Sequence, residues 1–252
     1  MLQISDLHVQ IGDAAILNGM SFTAAAGDSI GIIGPNGSGK TTLFNALSGF
    51  VLPQRGSITL KKQEISQLPP YARAELGIGR VFQNFGIFRE MTVLENLVVA
   101  LESRMSVWST LMPWTATSRR VRDEAKSYAA QVKLDGKLSH KAGSLSGGQM
   151  RLLEIVRALA FGAEVFLLDE PTAGVSPKMK DEVSGLIRHV QQLGKTTLII
   201  EHDINFVQSF SKRILVLDQG KILLDDSPEK VRSNALLQEI YFGKMEASAH
   251  IS

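Results

Sequence analysis

One stretch limits what this chain can fold into more than any other: Gly34-Pro35-Asn36-Gly37-Ser38-Gly39-Lys40-Thr41, with Thr42 following. It lies between the apolar run SIGII and the helix-compatible TLFNALSG, so it fits G-x-x-x-x-G-K-[ST] in the strand-to-helix setting that this motif requires. The residue types have physical reasons. Glycines let backbone N–H groups wrap phosphate oxygens, and the N-terminus of the following helix adds a favourable dipole. Lys40 suits the β and γ oxygens of a nucleoside triphosphate, and the Thr41 hydroxyl suits Mg²⁺.

The rest of the chain supplies the scaffold for such a loop. Strand-like runs at Leu2–Ile11, 20–24, Ser29–Ile33 and 57–60, punctuated by Gly12, Gly27 and Gly56, predict a β-rich opening. From Met91 the pattern changes: MTVLENLVVALESRM and later SRRVRDEAKSYAAQVKL carry apolar residues at helical spacing, which predicts a helical insert over about 86–145. Between them SVWSTLMPWTATS, with Pro113 and its hydroxyl-rich cluster, predicts a loop. Strand runs return at 164–168, Thr196–Ile200 and 213–217, separated by helical stretches at 177–193 and Ile204–Phe210. That alternation predicts parallel strands with crossover helices.

Two strand ends then stand out. Val165-Phe166-Leu167-Leu168-Asp169-Glu170 is an apolar strand ending in two carboxylates, and ligands of open parallel sheets gather at the carboxyl ends of strands. Asp169 suits Mg²⁺, directly or through water, while Glu170 suits proton abstraction from an attacking water. By itself such an ending is commonly a solvated turn; the phosphate loop gives it a partner. TTLIIEH ends in His202, a candidate to hydrogen-bond a γ-phosphate and hold Glu170 and water in line. Gln83, after the strand-like IGRVF, is a candidate to reach metal and water with its amide.

Leu145-Ser146-Gly147-Gly148-Gln149, followed by the amphipathic MRLLEIVRALA, resembles the signature of the ABC ATPases. In order along the chain stand the phosphate loop, Gln83, the signature, Asp169-Glu170 and His202, and the resemblance covers residues 2–243. It implies an α/β fold: a P-loop NTPase core with a mixed or parallel sheet, an N-terminal antiparallel β portion and an inserted helical subdomain. The expected bounds are 1–85 and 160–243 for the core, 86–159 for the helical subdomain with the signature, and 244–252 for a frayed tail. It implies ATP and Mg²⁺ as ligands and a head-to-tail pairing with a second ATPase, identical or paralogous. There Ser146, Gly147, Gly148 and Gln149 of one chain face the γ-phosphate held by the other. A finer resemblance, carried by RVFQNFGIFREMTVLENL, LLDEPTAGVSP, LIIEHDINFV and NALLQEIYFG, is to the ATPase subunits of branched-chain and hydrophobic amino-acid importers, a group that includes urea and short-amide systems. Its expected partners are two membrane permeases and a solute-binding protein, with the chain peripheral on the cytoplasmic face. Two positions depart from the family pattern. Ile11 aligns where an aromatic often stacks on adenine, and Gly174-Val175-Ser176 stands where Gly-Leu-Asp or Gly-Leu-Asn is common.

Bulk composition agrees with a folded domain that works through partners. Hydrophobic residues make up 44% and charged residues 21%, ordinary values for a globular chain. A formal net charge of +2 with no block of like charges argues against a nucleic-acid surface. No cysteine is present, so disulfides and thiolate metal sites are excluded. No apolar run is long enough to span a bilayer, and MLQISDLHVQ lacks the layout of a signal peptide. Phe85, Ile87 and Phe88, just after Gln83, are expected to form a permease-docking surface, and Trp108 and Trp114 to anchor the helical insert.

Overall fold

The computed structural model describes residues 1–82, 86–104 and 114–234, the side chains of 114–118 excepted. The N-terminal part runs β1 (Leu2–Ile11), β2 (Ala14–Ala24), β3 (Ser29–Ile33), α1 (Lys40–Ser48), β4 (Arg55–Leu60) and β5 (Gln63–Glu64). Next come α2 (Pro70–Glu75), β6 (Ile78–Val81), α3 (Val93–Ser103), α4 (Trp114–Gln131), α5 (Gly147–Phe161), β7 (Val165–Asp169) and α6 (Pro177–Gln192). The chain continues through β8 (Thr196–Ile200), α7 (Ile204–Phe210), β9 (Arg213–Asp218), β10 (Lys221–Asp226) and α8 (Pro228–Ser233). These elements form two compact units, Met1–Pro70 with the described residues from Leu198 onward, and Tyr71–Thr197.

In the first unit an antiparallel sheet has the order β2-β1-β4-β5. The β1–β2 hairpin pairs Ile11 with Ala14 across its turn and Leu2 with Ala24 at its far end. That pairing extends β2 well before position 20, where the alternation of apolar residues first becomes visible. A second set of strands follows: β3 lies parallel to β9, with Ile30 opposite Arg213 and Ile33 opposite Val216, and β10 is antiparallel to β9. All five residues of β3 are buried, as expected of a strand covered on both faces. Ile33, Val207 of α7, Ile214, Val216 and Val231 of α8 form one apolar cluster. At about 1.5–3 kcal/mol for each large aliphatic side chain taken out of water, such clusters supply most of the force that fixes the end of β3.

The second unit is mainly helical around the parallel pair β6 and β7, in which Arg80 lies opposite Leu167 and Val81 opposite Leu168. Three helix starts here have a local cause. Thr92 caps α3 in a reciprocal capping box with Glu95, and Ser146 does the same for α5 with Gln149. Pro177 opens α6 at a position where its missing N–H costs nothing. α5 stops at Gly162, whose φ of 94° is the left-handed conformation that closes a helix. One sequence expectation is corrected: residues 114–118, read as the end of a loop, belong to α4, which begins at Trp114. The hydroxyl residues Thr115, Thr117 and Ser118 suit a first helical turn as well as a loop, because N–H groups there lack intrahelical partners. Among the described residues no helix is long and apolar enough to cross a membrane.

Candidate nucleotide site

The phosphate loop leaves β3 and enters α1, as its motif demands. Gly39 caps α1 with φ 102° and Gly37 sits at φ 82°, conformations that only glycine adopts without cost. Gly34 is required for a second reason: a Cβ there would come within 2.3 Å of the Leu217 carbonyl oxygen and 2.5 Å of Ser38 Oγ. The loop is pinned from outside by the N–H of Gly220, which donates to the Ser38 carbonyl at 3.1 Å. Lys40 is buried, and its ammonium donates to the Gly34 and Pro35 carbonyls at 2.7 and 2.9 Å. The cation thus lies against the carbonyls of the phosphate loop itself. Ser38 is 2% exposed, and its hydroxyl has no hydrogen-bond partner among the described residues. A buried hydroxyl left this way inside a loop of backbone donors fits an anionic oxygen. Thr41 and Thr42 follow on the first turn of α1, with Thr41 exposed.

His202 belongs to the same unit, one residue beyond the buried Glu201 at the end of β8. The histidine is exposed, and Asp203 next to it caps α7 by accepting from Phe206 N–H at 3.1 Å. The third residue of Glu-His-Asp therefore has a helix-capping role of its own. Ile11 is 52% exposed at the end of β1, so the position aligned with adenine stacking presents an aliphatic side chain to solvent.

The acidic pair ends β7 in the other unit. Every residue of β7 is buried, and Asp169 is 5% exposed. Its Oδ2 accepts from Arg80 Nη2 at 3.0 Å, and the Arg80 guanidinium also lies 4.8 Å from the centre of the Phe82 ring. Burial pushes the Asp169 carboxyl above its ordinary value, with the Arg80 hydrogen bond offsetting part of that. Burial likewise lowers Arg80, so each charge depends on the other. Glu170 has φ 47°, a left-handed backbone conformation unusual for a non-glycine residue. Such strain is held only where the surroundings impose it, and it concentrates at functional sites. The sequence gives no signal for this turn or for Arg80, whose place in IGRVF reads as an ordinary charged residue at a strand edge.

The signature lies in the same unit as the acidic pair. Ser146 Oγ accepts from Gln149 N–H and Gln149 Oε1 accepts from Ser146 N–H, both at 3.3 Å. Lys137 Nζ donates to the same Gln149 oxygen at 3.0 Å. The Gln149 side chain thus closes the N-terminus of α5, while Gly147 and Gly148 form its first turn. Gln83 and Phe85 lie outside the described residues, as does Trp108. Ile87 is 8% exposed and so does not contribute to the expected apolar docking surface; it packs inward. Phe88 is 48% exposed, with the Arg157 guanidinium 5.1 Å from its ring centre.

Comparison with known proteins agrees with this arrangement. Residues 17–173 match the family described as ABC transporter. The chain is 38% identical over 250 residues to the high-affinity branched-chain amino acid transport ATP-binding protein BraF of Pseudomonas aeruginosa, covering 97% of this chain and 98% of that one. It superposes with a TM-score of 0.83 on the ADP conformation of an ATP-binding cassette of an ABC transporter, at 33% identity and with 96% of this chain and 98% of that chain covered. A dimeric bacterial ABC transporter cassette matches with a TM-score of 0.78 at 26% identity, covering 90% and 99%. With a phosphate loop of the required geometry, a buried acidic strand end and a capped signature helix, the chain belongs to the ABC transporter family, as one of its ATP-hydrolysing cassettes.

Proposed function

We propose that this chain powers an importer of branched-chain or other neutral hydrophobic amino acids, hydrolysing ATP at the cytoplasmic face of two permease subunits. The observation that carries the reading is the 38% identity to a branched-chain amino acid transport ATP-binding protein over nearly the whole of both chains. In this reading a solute-binding protein delivers the amino acid, and a second ATPase chain completes a head-to-tail dimer.

The roles of the residues follow from their chemistry. Residues 34–42 hold the phosphates through backbone N–H groups, with Lys40 exchanging its two loop carbonyls for β and γ oxygens. The Thr41 hydroxyl, the Asp169 carboxylate and the Gln83 amide oxygen are hard donors of the kind Mg²⁺ takes, and they would hold it. When bound, the ion supplies charge neutralisation for the phosphate oxygens. Glu170 takes the proton of the attacking water, and His202 orients water and γ-phosphate. Ser146, Gly147, Gly148 and Gln149 meet the γ-phosphate held by the partner ATPase, where the N-terminal dipole of α5 favours an anion.

The test is reconstitution in lipid with its permease subunits. Leucine or valine on the cognate binding protein is expected to stimulate ATP hydrolysis and to be taken up. Stimulation by urea or a short amide alone, or by a lipid substrate extracted from the membrane, would replace the amino-acid reading and leave the ATPase reading standing.

A further inference from the structure

The phosphate loop leans on a hairpin turn that its motif does not include. β9 and β10 pair Asp218 with Lys221 around the two-residue turn Gln219-Gly220, and both turn residues have positive φ, 45° and 76°. Two such residues give a hairpin turn whose twist matches its strands. Asn18 of β2 holds this turn twice. Its N–H donates to the Gly220 carbonyl at 2.8 Å, and its side-chain Nδ2 donates to the Gln219 carbonyl at 3.1 Å. The approach is close: a Cβ at Gly220 would come within 2.2 Å of the Ile16 carbonyl oxygen and 2.8 Å of Asn18 Nδ2. The Gly220 N–H, on the other side, donates to the Ser38 carbonyl at 3.1 Å.

Gln219 C=O and Gly220 N–H are the two ends of one peptide group, and Ser38 C=O and Gly39 N–H are the ends of another. In a trans peptide these ends point in opposite directions, and among the described residues no peptide bond is cis. The Asn18 amide, the 219–220 peptide and the 38–39 peptide therefore stand head to tail, and the last donor, Gly39 N–H, points away from the turn. We propose that Asn18 is a positioning residue for nucleotide, acting through these two peptide groups to keep the Gly39 N–H aimed at phosphate. The inference rests on the reading of residues 34–42 as the phosphate cradle. The relay has a definite motion to prevent. Rotation of the 38–39 peptide would turn the Ser38 carbonyl towards an anion, and Gly39, free to take either sign of φ, offers little resistance. Bonds in such a chain also polarise one another, so loss of the first donor weakens the last. Holding the strands together does not by itself need Asn18. Arg213 Nη1 donates to the Thr23 carbonyl near the far end of β2 at 2.8 Å, and the same guanidinium pairs with Asp225 of β10. Arg213 lies opposite Ile30, at the other end of β3 from the phosphate loop.

Asn18→Ala in the full chain removes the first donor of the relay and keeps the backbone N–H. It is expected to weaken binding of ATP and of inorganic tripolyphosphate alike, by about threefold to tenfold, the scale of one intramolecular hydrogen bond. Titration calorimetry measures both. Tripolyphosphate has neither base nor ribose, so a loss confined to ATP would place the effect outside the phosphate loop and overturn the relay. In nucleotide-free protein the Gly220 amide is expected to exchange its hydrogen faster in the variant than in the parent. Arg213→Met is the control, since it loosens the other tie between β2 and β9. At a temperature where every variant is folded, it should lower the melting temperature but leave tripolyphosphate affinity within about twofold of native. Native affinity in a folded Asn18→Ala, or equal losses in Asn18→Ala and Arg213→Met, would overturn the proposal. Should Asn18→Ala fail to fold, Asn18→Val, a stronger strand former that also lacks a side-chain donor, carries the same comparison. Lys40→Ala is measured alongside: unchanged tripolyphosphate binding there removes the phosphate cradle and the role of Asn18 with it, while Gly220 exchange still decides whether Asn18 holds the turn.

Discussion

Lys40 and Asp169 both carry a charge that burial opposes, and both are held by a neighbour. For Lys40 the neighbours are two loop carbonyls, a weaker exchange than phosphate oxygens offer. Lys40→Ala is expected to weaken ATP binding by about tenfold to a hundredfold, the loss of charged hydrogen bonds worth about 1.5–3 kcal/mol. Titration with a fluorescent ATP analogue measures this, and near-native affinity would remove Lys40 from the phosphate site. For Asp169 the direction of its shift gives a pH dependence. An acid whose folded value is raised above 3.8 contributes its full stability below that value and loses it as pH rises through the folded value. Asp169→Asn abolishes this titration. In nucleotide-free and metal-free chain, the melting temperature of the variant relative to the parent is expected to rise between about pH 4 and pH 7. A difference that falls over that range would mean that Arg80 holds the carboxylate below its ordinary value.

Helix-to-helix packing gives the second glycine of the signature a reason that involves no ligand. A Cβ at Gly148 would lie 2.6 Å from Met179 Cγ and 2.7 Å from Met179 Cβ, both near the root of that side chain on α6. Gly148→Ala is expected to destabilise the chain by about 1–3 kcal/mol through overpacking. The penalty should shrink in a Met179→Ala background, and a double-mutant cycle by urea unfolding measures the coupling. Equal penalties in both backgrounds would mean that α5 and α6 separate freely here. Elements with strong local signals were legible from the residues alone. β3 and β8 begin and end where their five-residue strand-like runs do, and the bounds of α7 follow from Asp203 as cap and its apolar face. β10 was not legible, because KILLDD mixes lysine and aspartates with leucines and is set by its pairing with β9. The short β5 and α2 lack enough residues for a period to show. For the candidate site, the phosphate loop, acidic pair and signature could be read because each is a motif with a fixed strand or helix context. Arg80 could not, since sequence patterns assign charges to the surface and only tertiary pairing brings them inside.

At the scale of the whole molecule, the phosphate loop and His202 belong to one compact unit, and the acidic pair and signature to the other. The signature carries a helix N-terminus with two glycines and an exposed serine. In the proposed head-to-tail pairing a second ATPase chain gives that surface its task, and Glu170 and Ser146 together test it. Glu170→Gln keeps size and hydrogen bonding but removes the basic carboxylate, so hydrolysis is expected to fall by about 10²–10⁴-fold. ATP binding should survive. Dimers should persist, because one negative charge near the γ-phosphate is gone and the step that reopens the pair is stalled. Ser146→Arg added to this background places a long side chain at the N-terminus of α5 and is expected to abolish the ATP-dependent dimer while monomers still bind nucleotide. Light scattering with Mg-ATP measures both states, with the second ATPase of the system included where it is a different chain. An ATP-stable dimer that ignores Ser146→Arg would take the signature out of the nucleotide site and leave a phosphate-loop ATPase that works without a facing partner.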